Sequence, residues 1–223
     1  MEYPFFDYFY HRLDRLTGNV KLIESSLEED ENGYVQRHQA LTDLAQRGEG
    51  LTENEQISAD FFHDDIALYD ESMQLYRQSS FLMLFAFLED SLQKICTLLR
   101  TQFNYTLAPD DLHGKGVLRL KLYLEKVAFM TFDESLTEKV DQYRLIRNHL
   151  AHEFGEVKES AKKIRGIASS SIPLSLDDWG YTEFLRLEDG FLDEFAAIIQ
   201  QLFSSIEKQT KQKLTVRLVT PAQ

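Results

Sequence analysis

Neither glycine nor proline occurs anywhere from Thr52 to Ala108. These two residues punctuate turns, so a stretch this long without them reads as helix. Thr52 and Glu55 have the spacing of a capping box that would start it, and the helical pattern holds to Phe103. A helix of some 45 residues would be about 70 Å long, more than a compact domain needs, and a bend is expected near Ser79-Ser80. In its second half Leu84, Leu88, Leu92, Ile95 and Leu99 form one apolar stripe. Phe85, Glu89, Leu92 and Cys96 form an overlapping one, which places the Glu89 carboxylate beside apolar neighbours. Asp90 falls with Lys94 and Thr97 on the wetter side.

The flanking segments are also helical in pattern. Tyr3, Phe5, Phe6, Tyr8, Phe9 and Tyr10 open the chain as an aromatic cluster expected to dock on the body of the protein or on a partner. Leu13, Leu16, Val20, Ile23 and Leu27 follow at helical spacing. Glu28-Glu29-Asp30-Glu31-Asn32-Gly33 is expected to interrupt that helix before a second one running to about Gln46. Pro109 to Gly116 reads as a loop, and Val117 to Met130 as a short helix with Leu118, Leu122 and Val127 inward. Glu134 to about Lys163 reads as a helix interrupted or ended near Gly155. Ile172 to Leu176 and Tyr181 to Leu187 have the pattern of a small hairpin. The last helix, from Glu188 to about Lys211, buries Phe191, Phe195, Ile198, Ile199, Leu202 and Ile206. The expected architecture is all-α, a helical bundle with a long central helix and a small β-hairpin before the last helix. Residues 1–56 form an acidic N-terminal helical extension and residues 57–223 the main helical domain.

Composition narrows the function classes. With 43% hydrophobic and 27% charged residues the chain has the balance of a globular protein. A single cysteine, Cys96, excludes an intrachain disulfide and a cysteine-based zinc site. Met1-Glu2-Tyr3-Pro4 lacks the features of a signal peptide, and the longest apolar run, Phe81 to Leu88, is too short for a membrane helix. A soluble, cytoplasmic protein with no membrane partner is expected. The net charge of −13 argues against non-specific coating of nucleic acid. The acidity is uneven, however: residues 1–70 hold 5 basic and 16 acidic side chains, whereas 94–126 hold 6 against 3 and 139–165 hold 7 against 4. A local polyanion site in the later part of the chain remains compatible with the overall charge.

Chemistry concentrates in Val140-Asp141-Gln142-Tyr143-Arg144-Leu145-Ile146-Arg147-Asn148-His149-Leu150-Ala151-His152. The apolar stripe through Leu136, Val140, Tyr143, Leu150, Phe154 and Val157 passes through Arg147, whose charge then needs a carboxylate or an anion to compensate it. Arg144, Asn148 and His152 follow one another at i, i+4 and i+8. A guanidinium binds phosphate with its planar fork, and an imidazole exchanges protons near neutral pH. The set suits phosphodiester chemistry on RNA, where the ribose 2′-hydroxyl is a nucleophile already in place and no metal is required. On spacing alone, such a set on a helix is more often a hydrogen-bonded polar patch than an active site. His149 and His152 lack a third ligand at defined spacing, so no metal and no cofactor is expected, and His149 reads as a surface histidine.

Arg147-Asn148-His149-Leu150-Ala151-His152 resembles the Arg-Asn-x-x-x-His form of the RxxxxH motif of the HEPN superfamily (higher eukaryotes and prokaryotes nucleotide-binding). The helix order over residues 57–212 is similar too, with Phe87-Leu88-Glu89 on the long helix. The resemblance implies a HEPN-like domain at 57–223 acting as a metal-independent endoribonuclease, often a toxin or antiviral defence effector, working as a homodimer with a composite cleft. It assigns catalysis to Arg147, Asn148 and His152, and Glu89 fits an acidic position that some members place on the long helix as a substrate contact; Arg144, by its helical spacing alone, is expected to add a phosphate contact. An antitoxin or defence-system partner would accompany such a protein. Members silenced by nucleotidylation carry a tyrosine two residues after the histidine, where this chain has Phe154. Other members are inactive dimerisation modules, or bind nucleotides or proteins, and that is the alternative reading.

Overall fold

The structure is a computed structural model that describes residues 4–47, 50–153, 155–158, 160–178 and 182–219. It is 77% helical. Among the described residues the elements are α1 (Pro4–Gln46), α2 (Glu53–Asp60), α3 (Phe62–Phe103), a 3-10 turn (Pro109–Asp111), α4 (Gly116–Lys126), α5 (Glu134–Glu153), β1 (Glu156–Val157), α6 (Lys162–Ala168), β2 (Leu174–Asp178), β3 (Glu183–Leu187) and α7 (Phe191–Val219). The mostly α architecture with a small sheet before the last helix is the one expected. No helix among the described residues is long and apolar enough to cross a membrane.

The chain divides into two compact units, residues 1–14 with 81–223, and residues 15–80. This differs from a cut after residue 56, because α1 and α3 each contribute to both units. The reason lies in the opening aromatic cluster. Phe6, Phe9 and Leu13 are buried in the first unit, where Phe9 meets Phe203 at 5.7 Å and Tyr10 donates to Glu207 Oε2 at 3.0 Å. Tyr3 lies outside the described residues.

In the first unit the second half of α3 is the central element. Leu84, Leu88, Leu92, Ile95 and Leu99 are all buried, as are Phe85 and Cys96. Phe81, Phe85, Tyr143, Phe191 and Phe195 form one aromatic cluster with ring centroids 4.8 to 6.1 Å apart. All six apolar residues expected on the inner face of α7 are buried. Burial pushes the Cys96 thiol up to about 12, which makes it an inert core residue. The inner face of α4 consists of Val117, Leu120, Tyr123 and Leu124, whereas Leu118, expected inward, is exposed.

Helix α4 ends earlier than its apolar pattern. The amides of Val127 and Ala128 donate to Tyr123 O, and that of Met130 donates to Leu124 O at 2.9 Å. This closure sets Phe129 in the left-handed region at φ 50, a position that glycine usually fills. A bulky side chain there costs about 1–2 kcal/mol.

Helix α5 stops at Glu153, at the break expected near Gly155. Gly155 adopts φ 84, and its carbonyl accepts from the amide of Leu185 at 2.8 Å. The next residues form β1 and α6, two elements with no strong sequence signature. The strand order is β1-β3-β2, antiparallel throughout, with Leu174 opposite Leu187 and Glu156 opposite Phe184. Val157, Leu174, Leu185 and Leu187 are the buried strand residues. Residues 179–181 of the expected hairpin lie outside the described residues.

In the second unit α1 continues without the expected interruption at Glu28 to Gly33. One glycine in a helix costs only about 1 kcal/mol. Continuing the helix brings Tyr34 into a stack with Phe62 at 6.2 Å and His38 into one at 3.6 Å. Arg77, with 8% of its side chain exposed, donates to Glu24 Oε1 at 2.9 Å, and Tyr76 Oη donates to Val20 O at 3.4 Å. These pairs place α1 and the start of α3 side by side and antiparallel. The capping box of Thr52 and Glu55 is present, and it starts α2. The long helix breaks at Phe61, whose amide still donates to Ile57 O; Ser79 and Ser80 lie inside α3.

Candidate functional site

Helix α5 carries the motif residues, and both of its ends are fixed. At its start Asp133 Oδ1 accepts from the amides of Ser135 at 2.9 Å and Leu136 at 3.3 Å, satisfying donors that a helix leaves unpaired. At its end Gly155 reverses the chain into the sheet.

The buried face of α5 runs through Leu136, Val140, Tyr143, Ile146 and Leu150. Arg147 was expected on this seam, but Ile146 takes the place. Positions 146 and 147 are only about 100° apart around the helix, and the core takes the apolar one of the two. Arg147 therefore lies at the border of the core with 33% of its side chain exposed.

Its guanidinium has three neighbours. Nη1 donates to Asn148 Oδ1 at 3.1 Å. Nη2 is 3.8 Å from Glu89 Oε2, a loose ion pair beyond hydrogen-bond length. The guanidinium carbon stands 5.7 Å from the centre of the Phe85 ring, within cation–π range. Glu89 in turn crowds the first residue of α4: a Cβ on Gly116 would overlap Glu89 Oε1, and Gly116 adopts φ 55. Residues of α3, α4 and α5 thus converge on one arginine.

The other expected site residues are disposed differently. Arg144 Nε donates to Asp141 Oδ1 at 2.8 Å. The same arginine lines an open groove of about 600 Å³ between α4 and α5, with Leu118, Lys121, Thr137 and Gln142. His152 is exposed in the last turn of α5, and among the described residues no hydrogen bond or ion pair joins it to Arg147, Asn148 or Glu89. The eight residues from Arg144 to His152 correspond to about 12 Å of helix rise. Arg147 meets both Asn148 and Glu89; Arg144 and His152 flank it along the helix. Phe154 lies outside the described residues. Among those described, no group of three or more His, Cys, Asp or Glu side chains is placed to hold a metal ion.

His149 is not the surface histidine that its sequence context suggests. Its Nε2 atom is buried without a hydrogen-bond partner. Burial pushes the imidazole below its ordinary value, opposed by the Glu153 carboxylate and by hydrogen bonding to the backbone at Glu156 and Gly155.

No protein-family model, no curated protein and no solved structure matches this chain. The geometry is therefore the basis for a functional reading. Sequence reasoning missed Gly116, Phe85 and Asp141, which respectively make room for Glu89, face Arg147 and bind Arg144. Gly116 had a visible signal, since it closes the run Gly114-Lys115-Gly116 where α4 begins.

Proposed function

We propose that this chain is a metal-independent endoribonuclease of the HEPN type, acting as a homodimer whose two α5 helices share one cleft. The observation that carries the reading is the state of Arg147. Its guanidinium is partly exposed, oriented by Asn148 and Phe85, and held to Glu89 only by the 3.8 Å pair. A phosphodiester can displace so loose a partner and take the planar fork in a bidentate grip.

In this mechanism the His152 imidazole of one protomer takes the proton from a ribose 2′-hydroxyl, and the oxygen attacks the adjacent phosphorus. The bond from phosphorus to the 5′-oxygen breaks, and that oxygen receives a proton from the imidazolium of the other protomer. The products are a 2′,3′-cyclic phosphate and a 5′-hydroxyl. Arg147 stabilises the charge that develops on the phosphoryl oxygens, Asn148 fixes Arg147, and Arg144 holds a flanking phosphate. A role as a cytoplasmic toxin or antiviral effector, with an antitoxin or defence-system partner, belongs to the same reading.

The second reading is an inactive HEPN-like module that dimerises or binds a nucleotide or protein. The engagement of Arg144 by Asp141 at 2.8 Å favours it, as does the net charge of −13.

RNA cleavage in EDTA, comparing the native protein with His152→Ala and Arg147→Ala, separates the two. EDTA-resistant cleavage that leaves cyclic phosphate ends and is lost in both variants supports the enzyme; cleavage that survives in both overturns the assignment. Light scattering that finds only a 26.0 kDa species at micromolar concentration rejects the shared cleft.

A further inference from the structure

A second site lies within the first unit, lined by residues from α3, α7 and the segment after α4. Here an open groove of about 570 Å³ is lined by Phe103, Tyr105, Phe129, Gln209, Gln212 and Lys213, a size typical of small-ligand pockets. Phe129 is 72% exposed on a backbone held at φ 50. A chain that places so exposed an aromatic side chain in a disfavoured conformation needs a reason outside core packing.

The groove is also pre-formed. The Gln209 side chain accepts from the amide of Thr131 at 2.9 Å and donates to the carbonyl of Thr131 at 2.8 Å, fixing the segment that carries Phe129. Asn104 adopts φ 56 after the end of α3, the amide of Tyr105 donates to Arg100 O at 3.0 Å, and the Tyr105 ring stacks on Phe103 at 5.7 Å and 23°. Aromatic faces from two separate turns are thus set around one space.

Charge indicates the occupant. No carboxylate lines the groove, and Lys213 has no ion-pair partner among the described residues. Nearby on α7, Lys211 is paired with Glu207 at 2.6 Å, so Lys213 is the cation that lines the groove. Aromatic faces combined with a cation and side-chain amides are the equipment of single-strand nucleic-acid binding: rings stack on bases of any identity, and the cation meets the phosphate.

We propose that this groove binds an unpaired nucleotide of single-stranded RNA, with a base stacked on Phe129 and a phosphate at Lys213. The proposal extends the ribonuclease reading by giving its substrate a second point of attachment, outside the set of Arg147 and His152.

The test uses the full chain and a fluorescein-labelled single-stranded 2′-O-methyl oligoribonucleotide, which cannot be cleaved through its 2′-oxygen. Fluorescence anisotropy gives the dissociation constant. Phe129→Gly removes the ring while relieving the backbone, so folding is retained; affinity is expected to fall about tenfold, and Phe129→Trp should retain it. Lys213→Gln should weaken binding about threefold and make it less sensitive to salt. An abasic oligonucleotide should bind the native chain more weakly and respond little to Phe129→Gly.

Native affinity in Phe129→Gly, equal binding of abasic and normal strands, equal binding of a blunt duplex, or no binding at all would each overturn the proposal. The ribonuclease reading fails separately. Cleavage that depends on His152, together with Phe129-independent binding, removes only the groove. Binding that depends on Phe129, without cleavage, removes only the enzyme.

Discussion

The carboxylate of Glu89 lies so close to Gly116 that a Cβ at position 116 would overlap its Oε1 atom. The other oxygen of that carboxylate, Oε2, is the one paired with Arg147 at 3.8 Å. A glycine at the start of α4 therefore controls where the acid opposite the motif arginine can rest.

Gly116→Ala combines the overlap with a disfavoured backbone at φ 55 and should destabilise the protein by about 1–2 kcal/mol. The steric part is relieved when Glu89 is also shortened, so the double variant Gly116→Ala with Glu89→Ala should lose less than the sum of the single ones. Urea melts of the four proteins measure this coupling, and strict additivity would show that the two residues do not interact.

Arg147→Lys should behave like Arg147→Ala in the cleavage assay, with a fall of about 10²–10³-fold. A single ammonium cannot meet Asn148, Glu89 and a phosphate together with the directionality of the planar fork. His152→Ala should lower the rate about 10²–10⁴-fold. Both variants should melt at nearly the native temperature, because His152 is exposed and Arg147 lies at the edge of the core. A Lys variant with full activity would assign Arg147 a generic charge role.

His149 should make the fold sensitive to mild acid. Its folded-state value lies below the ordinary 6.5, chiefly through burial, so near and below that pH the unfolded chain binds more protons than the folded one. Its contribution to stability is complete above about 6.5 and is lost as the pH falls through the folded-state value. The thermal midpoint should drop between pH 7.5 and 5.5, and His149→Gln should flatten that slope. Parallel slopes in the two proteins would assign the acid sensitivity to other groups.

Glu24→Ala should destabilise the second unit by about 2–3 kcal/mol. The Arg77 side chain is only 8% exposed, and removing Glu24 takes away a carboxylate that compensates this poorly solvated charge. Arg77→Met in the same background should recover part of the loss, because an apolar side chain of similar length needs no partner. Chemical denaturation monitored by circular dichroism decides the matter.

The sequence was most informative where a chemical signal sets an element boundary. Thr52 with Glu55 and the glycine at 155 mark helix ends by hydrogen bonding and by backbone freedom, and both act as expected. The end of α4 was illegible for the opposite reason, since Phe129 occupies a position where glycine would have announced the turn. The phase of α4 was misread because Leu118, Leu120, Leu122 and Leu124 recur at every second residue and fit two helical faces equally; the burial of Tyr123 decides between them. At the site, the order of Arg144, Arg147, Asn148 and His152 along one helix followed from spacing. Their partners Asp141, Phe85 and Gly116 did not, because pairings across elements depend on how far each helix rotates about its own axis. The burial of Phe6 and Phe9 shows the same limit, since an aromatic cluster announces docking without naming the surface it meets.

The bond from the Leu185 amide to the Gly155 carbonyl has a kinetic consequence. The glycine that follows the last turn of α5, with its His152, is fixed to the sheet when β3 returns to Gly155. That return closes a loop of about 30 residues, and contacts distant in sequence form slowly. The residues of α3 that meet Arg147 precede α5 in the chain, whereas β3 follows it, so a nascent chain that has not yet made β3 can hold its arginine before its histidine.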